Sequence, residues 1–247
     1  MQEPIAFGEW VERPYACPAL YTNGLELVEA LPSRVDHAAP EPFQLSVACG
    51  SRVAVVAHLD RLDRSRKKLN LSRHTLVQRS GDGTRVEVAA SFPRPGDYVL
   101  SLRCRPARAG GAFDRALAVA VRVGDGGVLK QSMPTTHSAW IDANASLESP
   151  TTGDVDADDV HSFRVSQTRG CPPECHFDEL KLGLTQPGRN RIDWQSSLPR
   201  TDGSSSAHHD AELRLHKHDR GATLTLFARS KGAQAHQFNA LISWQVV

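Results

Sequence analysis

The chain has 247 residues, with 29 Lys and Arg against 28 Asp and Glu and a formal net charge of +1; that balance excludes a disordered polyelectrolyte and a globally basic nucleic-acid binder. Hydrophobic residues make up 40%, enough for a sizeable core in one large domain or two smaller ones, and no run approaches the roughly 18 apolar residues of a membrane helix. Arginine outnumbers lysine 23 to 6, which, alongside abundant Ala, Gly and Pro, reads as GC-rich coding rather than guanidinium chemistry.

The opening M-Q-E-P-I-A-F-G-E-W lacks the charged and apolar regions of a signal peptide, which predicts a cytoplasmic address. Residues 1–17 read as a Pro-flanked arm whose Phe7, Trp10 and Tyr15 need a surface to dock on, in this chain or a neighbour. Beyond it, apolar and polar residues alternate in short blocks: Phe43, Leu45, Val47 and Cys49; Val86 and Val88; Tyr98, Leu100, Leu102 and Cys104; Leu117, Val119 and Val121. Period two between Gly, Pro, Asp and Ser clusters predicts half-buried antiparallel strands. Asp60 to Leu71 admits one or two helical turns, with Leu62 and Leu69 on one side, or a long hairpin loop. Arg61, Arg64, Arg66, Lys67, Lys68 and Arg73 concentrate charge there without interleaved aromatics, so a solvated loop is expected and nucleic acid is not an expected partner. The alternation resumes in Phe163 and Val165; Leu180, Leu182 and Leu184; Leu213 and Leu215; Leu224 and Leu226; and Leu241 to Val246. The chain reads as all-β, and strands apolar on one face are satisfied by two facing sheets.

A repeat underlies the two halves. An offset of 120 places Leu27 on Leu147, Phe43 on Phe163 and Leu45 on Val165; an offset of 124 places Leu100 on Leu224, Leu102 on Leu226 and Leu117 on Leu241, with Phe113 one residue from Phe238. The expectation is two copies of one sandwich, residues 18–125 and 135–247, joined by a Gly- and Pro-containing linker at 126–134.

In F-P-R-P-G-D-Y-V-L-S-L, Phe92 to Leu102, Pro95-Gly96 makes a turn and Tyr98 opens a strand with a hydroxyl able to bond back to the backbone, the corner tyrosine of immunoglobulin-like sandwiches. The predicted architecture is two tandem immunoglobulin-like antiparallel β-sandwiches. The chain resembles the immunoglobulin-like domains that follow the transglutaminase-like core in the kyphoscoliosis peptidase and hillarin family. The resemblance rests on that block, on G-L-E-L at Gly24 to Leu27 followed by Pro32, and on M-P-T-T-H-S-A-W (Met133 to Trp140) leading into L-E-S-P-T-T-G (Leu147 to Gly153) and the Phe163 strand. It implies an accessory module for partner contact. The family's catalytic Cys, His and Asp belong to the core domain, which nothing here matches. Cys17 in Y-A-C-P shows no helical pattern opening after it, so no catalytic residue is carried over.

Cys49 and Cys104 point into the same end of the first core; a disulfide is conceivable, and two buried thiols acting as small hydrophobes are the expectation. Cys171, Cys175 and His176 in R-G-C-P-P-E-C-H-F could hold zinc with His216 and His218, but only half of a paired-ligand pattern is present; a proline-stiffened turn is expected. The D-V-D-A-D-D run of Asp154 to Asp159 fails the EF-hand pattern, with Asp159 and Val165 where Gly and Glu belong, and reads as a solvated turn. Trp140, Trp194 and Trp244 read as core fillers of the second copy. No nucleophile elbow, phosphate loop, H-E-x-x-H or dinucleotide fingerprint occurs. The expectation is a non-catalytic scaffold, without cofactor, that meets proteins through sheet edges or the N-terminal arm. A structural component of a larger assembly and a metal-dependent enzyme with a loop-built site are the alternatives.

Overall fold

The computed structural model describes residues 14–50, 53–62, 68–80, 82–107, 111–143, 145–168, 177–189, 191–202, 206–230, 234 and 237–247. In the first half run β1 (Tyr15–Ala16), β2 (Glu26–Leu27), β3 (Arg34–His37), β4 (Phe43–Ala48), β5 (Val53–Leu62), β6 (Lys68–Asn70), β7 (Thr75–Arg79), β8 (Arg85–Ala90), β9 (Gly96–Pro106) and β10 (Asp114–Val123). The second half holds β11 (Thr135–Thr136), β12 (Ala145–Ser149), β13 (Asp154–Val155), β14 (Val160–Thr168), β15 (Phe177–Thr185), β16 (Asp193–Leu198), β17 (Arg200–Asp202), β18 (Ser206–Arg214), β19 (Thr223–Ser230) and β20 (Asn239–Val246).

Strands β2-β4-β8-β7 form one sheet and β10-β9-β5-β6 the other, with β1 antiparallel and β3 parallel along the outer edge of β10. The second half reproduces this strand for strand as β12-β14-β18-β17 and β20-β19-β15-β16, with β11 and β13 in the matching places on β20. Four strands against a sheet that carries one extra edge strand is the ABED and GFCC′ arrangement of the immunoglobulin sandwich, built twice. One apolar cluster fills the first sandwich, from Leu20 to Val123. A second fills the other, from Trp140 to Val246.

The inward positions are those the alternation marks: Leu45, Val47, Val88, Leu100, Leu102, Val119, Val165, Leu182, Leu224 and Leu226 are all buried. The offsets between copies shift where the backbone shifts. Phe43 and Phe163 sit opposite Ala90 and Ala211 as equivalents. Leu27, however, lies opposite Val47 while Leu147 lies opposite Val165, so Leu27 corresponds to Ala145. A two-residue slide of this kind keeps the same face inward, which is why the apolar pattern concealed it. Leu117 corresponds to Ile242 rather than Leu241, because Leu102 pairs with Leu117 and Leu226 with Ile242. Each copy carries a bulge at this point, at Ala116 and Leu241, both fully buried.

Two local expectations are decided by sheet pairing and capping. The Asp60 to Leu71 stretch is a hairpin, with Leu62 opposite Lys68; residues 63–67, including Arg64, Arg66 and Lys67, lie outside the described residues, as do Phe7 and Trp10. Contrary to the sequence expectation, a helix does open after Cys17, which caps Pro18–Thr22; proline suits the first helical position because its missing N–H would be unpaired there anyway. His137 caps the matching helix Ser138–Ile141. The backbone N–H groups of Cys17 and His137 donate to Ala116 O and Leu241 O, the two bulge residues.

The corner tyrosine is in place: Tyr98 is 1% exposed and its Oη donates to Arg94 O at 2.6 Å. Phe92 packs on it at 4.9 Å between ring centroids. At the opposite end of this core, Cys49 and Cys104 are buried, unbridged thiols. Arg79, only 5% exposed, donates to Cys49 Sγ at 2.8 Å, to Gly50 O at 3.2 Å and to Val53 O. Two carbonyl oxygens and a sulfur thus solvate a guanidinium that the fold withdraws from water.

Candidate interaction surfaces

Trp194 departs from the expectation of a core filler: it is 49% exposed. Counting back by twos from buried Leu198 points it inward, but the β15–β16 register shifts so that Leu182 faces Ser196 and Gly183 faces Trp194. The extra residue, Gln195, turns the indole onto the outer face of the sheet. Gly183 makes that placement possible, since a Cβ there would run into Ile192 Cγ2 and come within 3.1 Å of Phe227 Cε2. Trp140 and Trp244, 2% and 1% exposed, do fill the core.

The indole is held by an aromatic and ionic frame. Its ring lies 5.2 Å from Phe227, edge to face, and 5.4 Å from Phe238. Lys181 Nζ stands 4.9 Å from the Phe238 centroid and 5.8 Å from Trp194, and Arg229 Cζ lies 5.9 Å from Phe238. Glu179 joins the two cations, at 2.8 Å to Lys181 and 3.1 Å to Arg229. The hydrogen bond from Lys181, with the charges of Lys181 and Arg229, holds its carboxyl below the ordinary range. The result is a packed, half-exposed aromatic surface rimmed by charge, a composition found at the centres of protein contacts. Exposed tryptophan was the missing signal, and only the bulge reveals it.

The two sandwiches are joined by direct contacts. Trp140 Nε1 donates to Val77 O at 2.9 Å, closing a free carbonyl on the β7 edge, and Leu147 N donates to Gln78 Oε1 at 3.2 Å. Arg105 meets Asp142 at 3.6 Å and Arg73 meets Asp154 at 3.9 Å. The acidic run is therefore tied into the fold: Lys217 pairs with Asp158 at 3.5 Å, Asp159 accepts from Val160 N, and Asp156 O bonds His161.

Cys171, Cys175 and His176 lie outside the described residues. Thr168 faces Ser206 at one end of β14, and Val160 faces Arg214 at the other; eight residues at about 3.3 Å each put these ends roughly 26 Å apart. His216 and His218 follow Arg214, at the far pole from Thr168 and Phe177. They stack on each other with centroids 5.4 Å apart. Among the described residues no three His, Cys, Asp or Glu side chains are grouped as metal ligands.

Two serine–histidine contacts escaped sequence reasoning because their partners lie 17 and 106 positions apart in the chain. His74 Nδ1 lies 2.9 Å from Ser91 Oγ, but that hydroxyl donates to Gln131 O and is buried, so the imidazole is the donor to it. His137 Nε2 lies 2.8 Å from Ser243 Oγ, which Thr225 Oγ1 also contacts at 2.8 Å. Burial lowers the pKa of both histidines, with Arg73 adding to the effect at His74. Both contacts fasten edges and linker segments.

No helix among the described residues is long and apolar enough to cross a membrane. No family model matches the chain, and no curated protein matches it. Among solved structures, a marsupial T cell receptor aligns over 91% of this chain and 100% of its own, at 13% identity and a TM-score of 0.26. The fold assignment stands on the doubled strand order: this chain is a tandem of immunoglobulin-like β-sandwiches.

Proposed function

We propose that the chain is a non-catalytic protein-binding module that scaffolds a partner through the outer face of β15, β16 and β19. The observation that carries this reading is Trp194, half exposed yet fixed between Phe227, Phe238 and Lys181. A large apolar ring held rigidly at the surface loses little freedom on binding and gains its remaining burial, which is how interface anchors work. The cations beside it supply orientation toward a partner. In this reading the module is an accessory unit of the kind that trails the transglutaminase-like core in kyphoscoliosis peptidase and hillarin proteins, acting in the cytoplasm. The short blocks around Phe92 to Leu102 and Met133 to Gly153 support that relation.

The test is capture of partners from native extract by the wild-type chain and by Trp194→Ala and Lys181→Glu, each checked for folding by circular dichroism. Loss of the same partner from both variants is expected. Equal capture by folded variants refutes the surface, and turnover of a substrate by the purified chain refutes the non-catalytic reading.

A further inference from the structure

A cavity of about 480 Å³ opens where the two sandwiches meet, within the range of ligand sites and at the kind of interface that holds them. Its floor is the outer face of the first sandwich. Register sets Ser46, Glu87 and Gln78 side by side across β4, β8 and β7, with Leu76 and Ala89 as the apolar part. One wall is the linker from Leu129 to Met133, and Thr151 and Thr152 of the second sandwich close the end.

The walls are built rather than incidental. Leu129 N donates to Phe92 O at 2.8 Å and Met133 N to Arg73 O at 2.7 Å, so the linker is pinned at both ends. Between them Gln131 O accepts from Ser91 Oγ at 2.8 Å. Gly153 N donates to Ser132 O at 2.8 Å, and any side chain at Gly153 would run into Met133 O and Ser132. Leu76 points away from the core yet is 2% exposed, beside Leu129 and Met133.

The electrostatics select the ligand. Glu87 is the one ionisable side chain among the described lining residues; it is half-buried, and its carboxylate has no hydrogen bond or ion pair among the described residues. Gln44 and Gln131 add amides able both to donate and to accept, as a peptide backbone requires, and Gln78, whose Oε1 receives Leu147 N, adds an amide donor. Among the described residues no cation lines the cavity to receive an anion, and no aromatic ring lines it to stack a sugar or base.

We propose that this cavity binds an extended peptide segment of a partner, its Lys or Arg side chain against Glu87 with the alkyl stem over Leu76 and Ala89. The site is separate from the Trp194 face. The experiment titrates the full chain by calorimetry with blocked Gly-Gly-Lys-Gly-Gly, its Glu analogue and 1,4-diaminobutane. The Lys peptide binds saturably and the Glu peptide does not. Glu87→Gln weakens the Lys peptide by about ten- to hundredfold, the effect of losing a charge-assisted hydrogen bond, while Glu212→Gln and Trp194→Ala leave it unchanged. Absence of saturation, an unaltered Glu87→Gln, or equal binding of the Glu peptide overturns the proposal. Binding of 1,4-diaminobutane as tightly as the Lys peptide overturns the peptide assignment.

Discussion

Trp140→Phe is the sharpest perturbation of the joint between the sandwiches. Trp140 is 2% exposed and donates through Nε1 to Val77 O at 2.9 Å, beside Val55, Gln78 and Arg79 of the first sandwich and Ile141 and Ala145 of its own. Phenylalanine keeps most of the ring and removes the donor. A hydrogen bond contributes about 0.5–1.5 kcal/mol net, and the smaller ring adds about 1 kcal/mol, well short of the roughly 3–5 kcal/mol of truncation to alanine. The total is about 2 kcal/mol, and its location matters more than its size. Trp244→Phe removes a comparable bond, to Pro150 O at 3.1 Å, wholly inside the second sandwich. Urea unfolding gives the magnitudes, and amide hydrogen exchange in β7 and β8 gives the location. Faster exchange there in Trp140→Phe, and not in Trp244→Phe, is expected. Unchanged β7 and β8 exchange in Trp140→Phe, or a loss below about 0.5 kcal/mol by the same scale, refutes the argument that this indole couples the halves.

Tyr98→Phe removes the hydroxyl that reaches Arg94 O and costs about 1–2 kcal/mol in the first sandwich alone; the counterpart in the second is Ala222, whose carbonyl receives Val246 N. A denaturation series showing no loss, or a loss spread over both halves, contradicts this. Stability falls as pH drops from 7.5 to 5.5, because burial lowers the folded-state pKa of His58, His74 and His137 from 6.5. Below that value the unfolded chain binds more protons than the folded one, so this contribution is full above it and lost toward the lower folded pKa values; His74→Gln with His137→Gln flattens the dependence of the urea midpoint, and an unchanged slope is the contrary result. With Cys171 and Cys175 replaced by serine, a disulfide reagent at pH 8 modifies partly exposed Cys17 first and the other two thiols only on unfolding. Burial, with Asp114 and Cys49 adding to it, pushes Cys104 up to about 11, and burial raises Cys49 despite Arg79. Rapid modification of Cys104 in the native chain contradicts this prediction.

Much of the fold was legible because period-two alternation is a one-dimensional record of a two-faced sheet. Phe43, Leu45 and Val47 mark one inward row and Leu100, Leu102 and Cys104 another, and all are buried as the pattern requires. The repeat was legible for the same reason, to within the slides and bulges that alternation cannot register. The interaction surfaces were not. Trp194 is read correctly only when Gln195 is known to be an extra residue between paired strands, and Glu87 gains meaning only beside Gln78, the linker and Thr152.

The sequence by itself determined the strand class, the inward rows, the corner tyrosine and the doubling of the sandwich, since each depends on neighbours a few residues away or on a pattern repeated along the chain. The tertiary structure alone decided how Trp140 spans the joint, why Arg79 is buried against Cys49, and that Trp194 faces outward. These depend on pairing register and on contacts between residues 30 to 63 positions apart, and a shift of one residue in register changes which face a side chain meets.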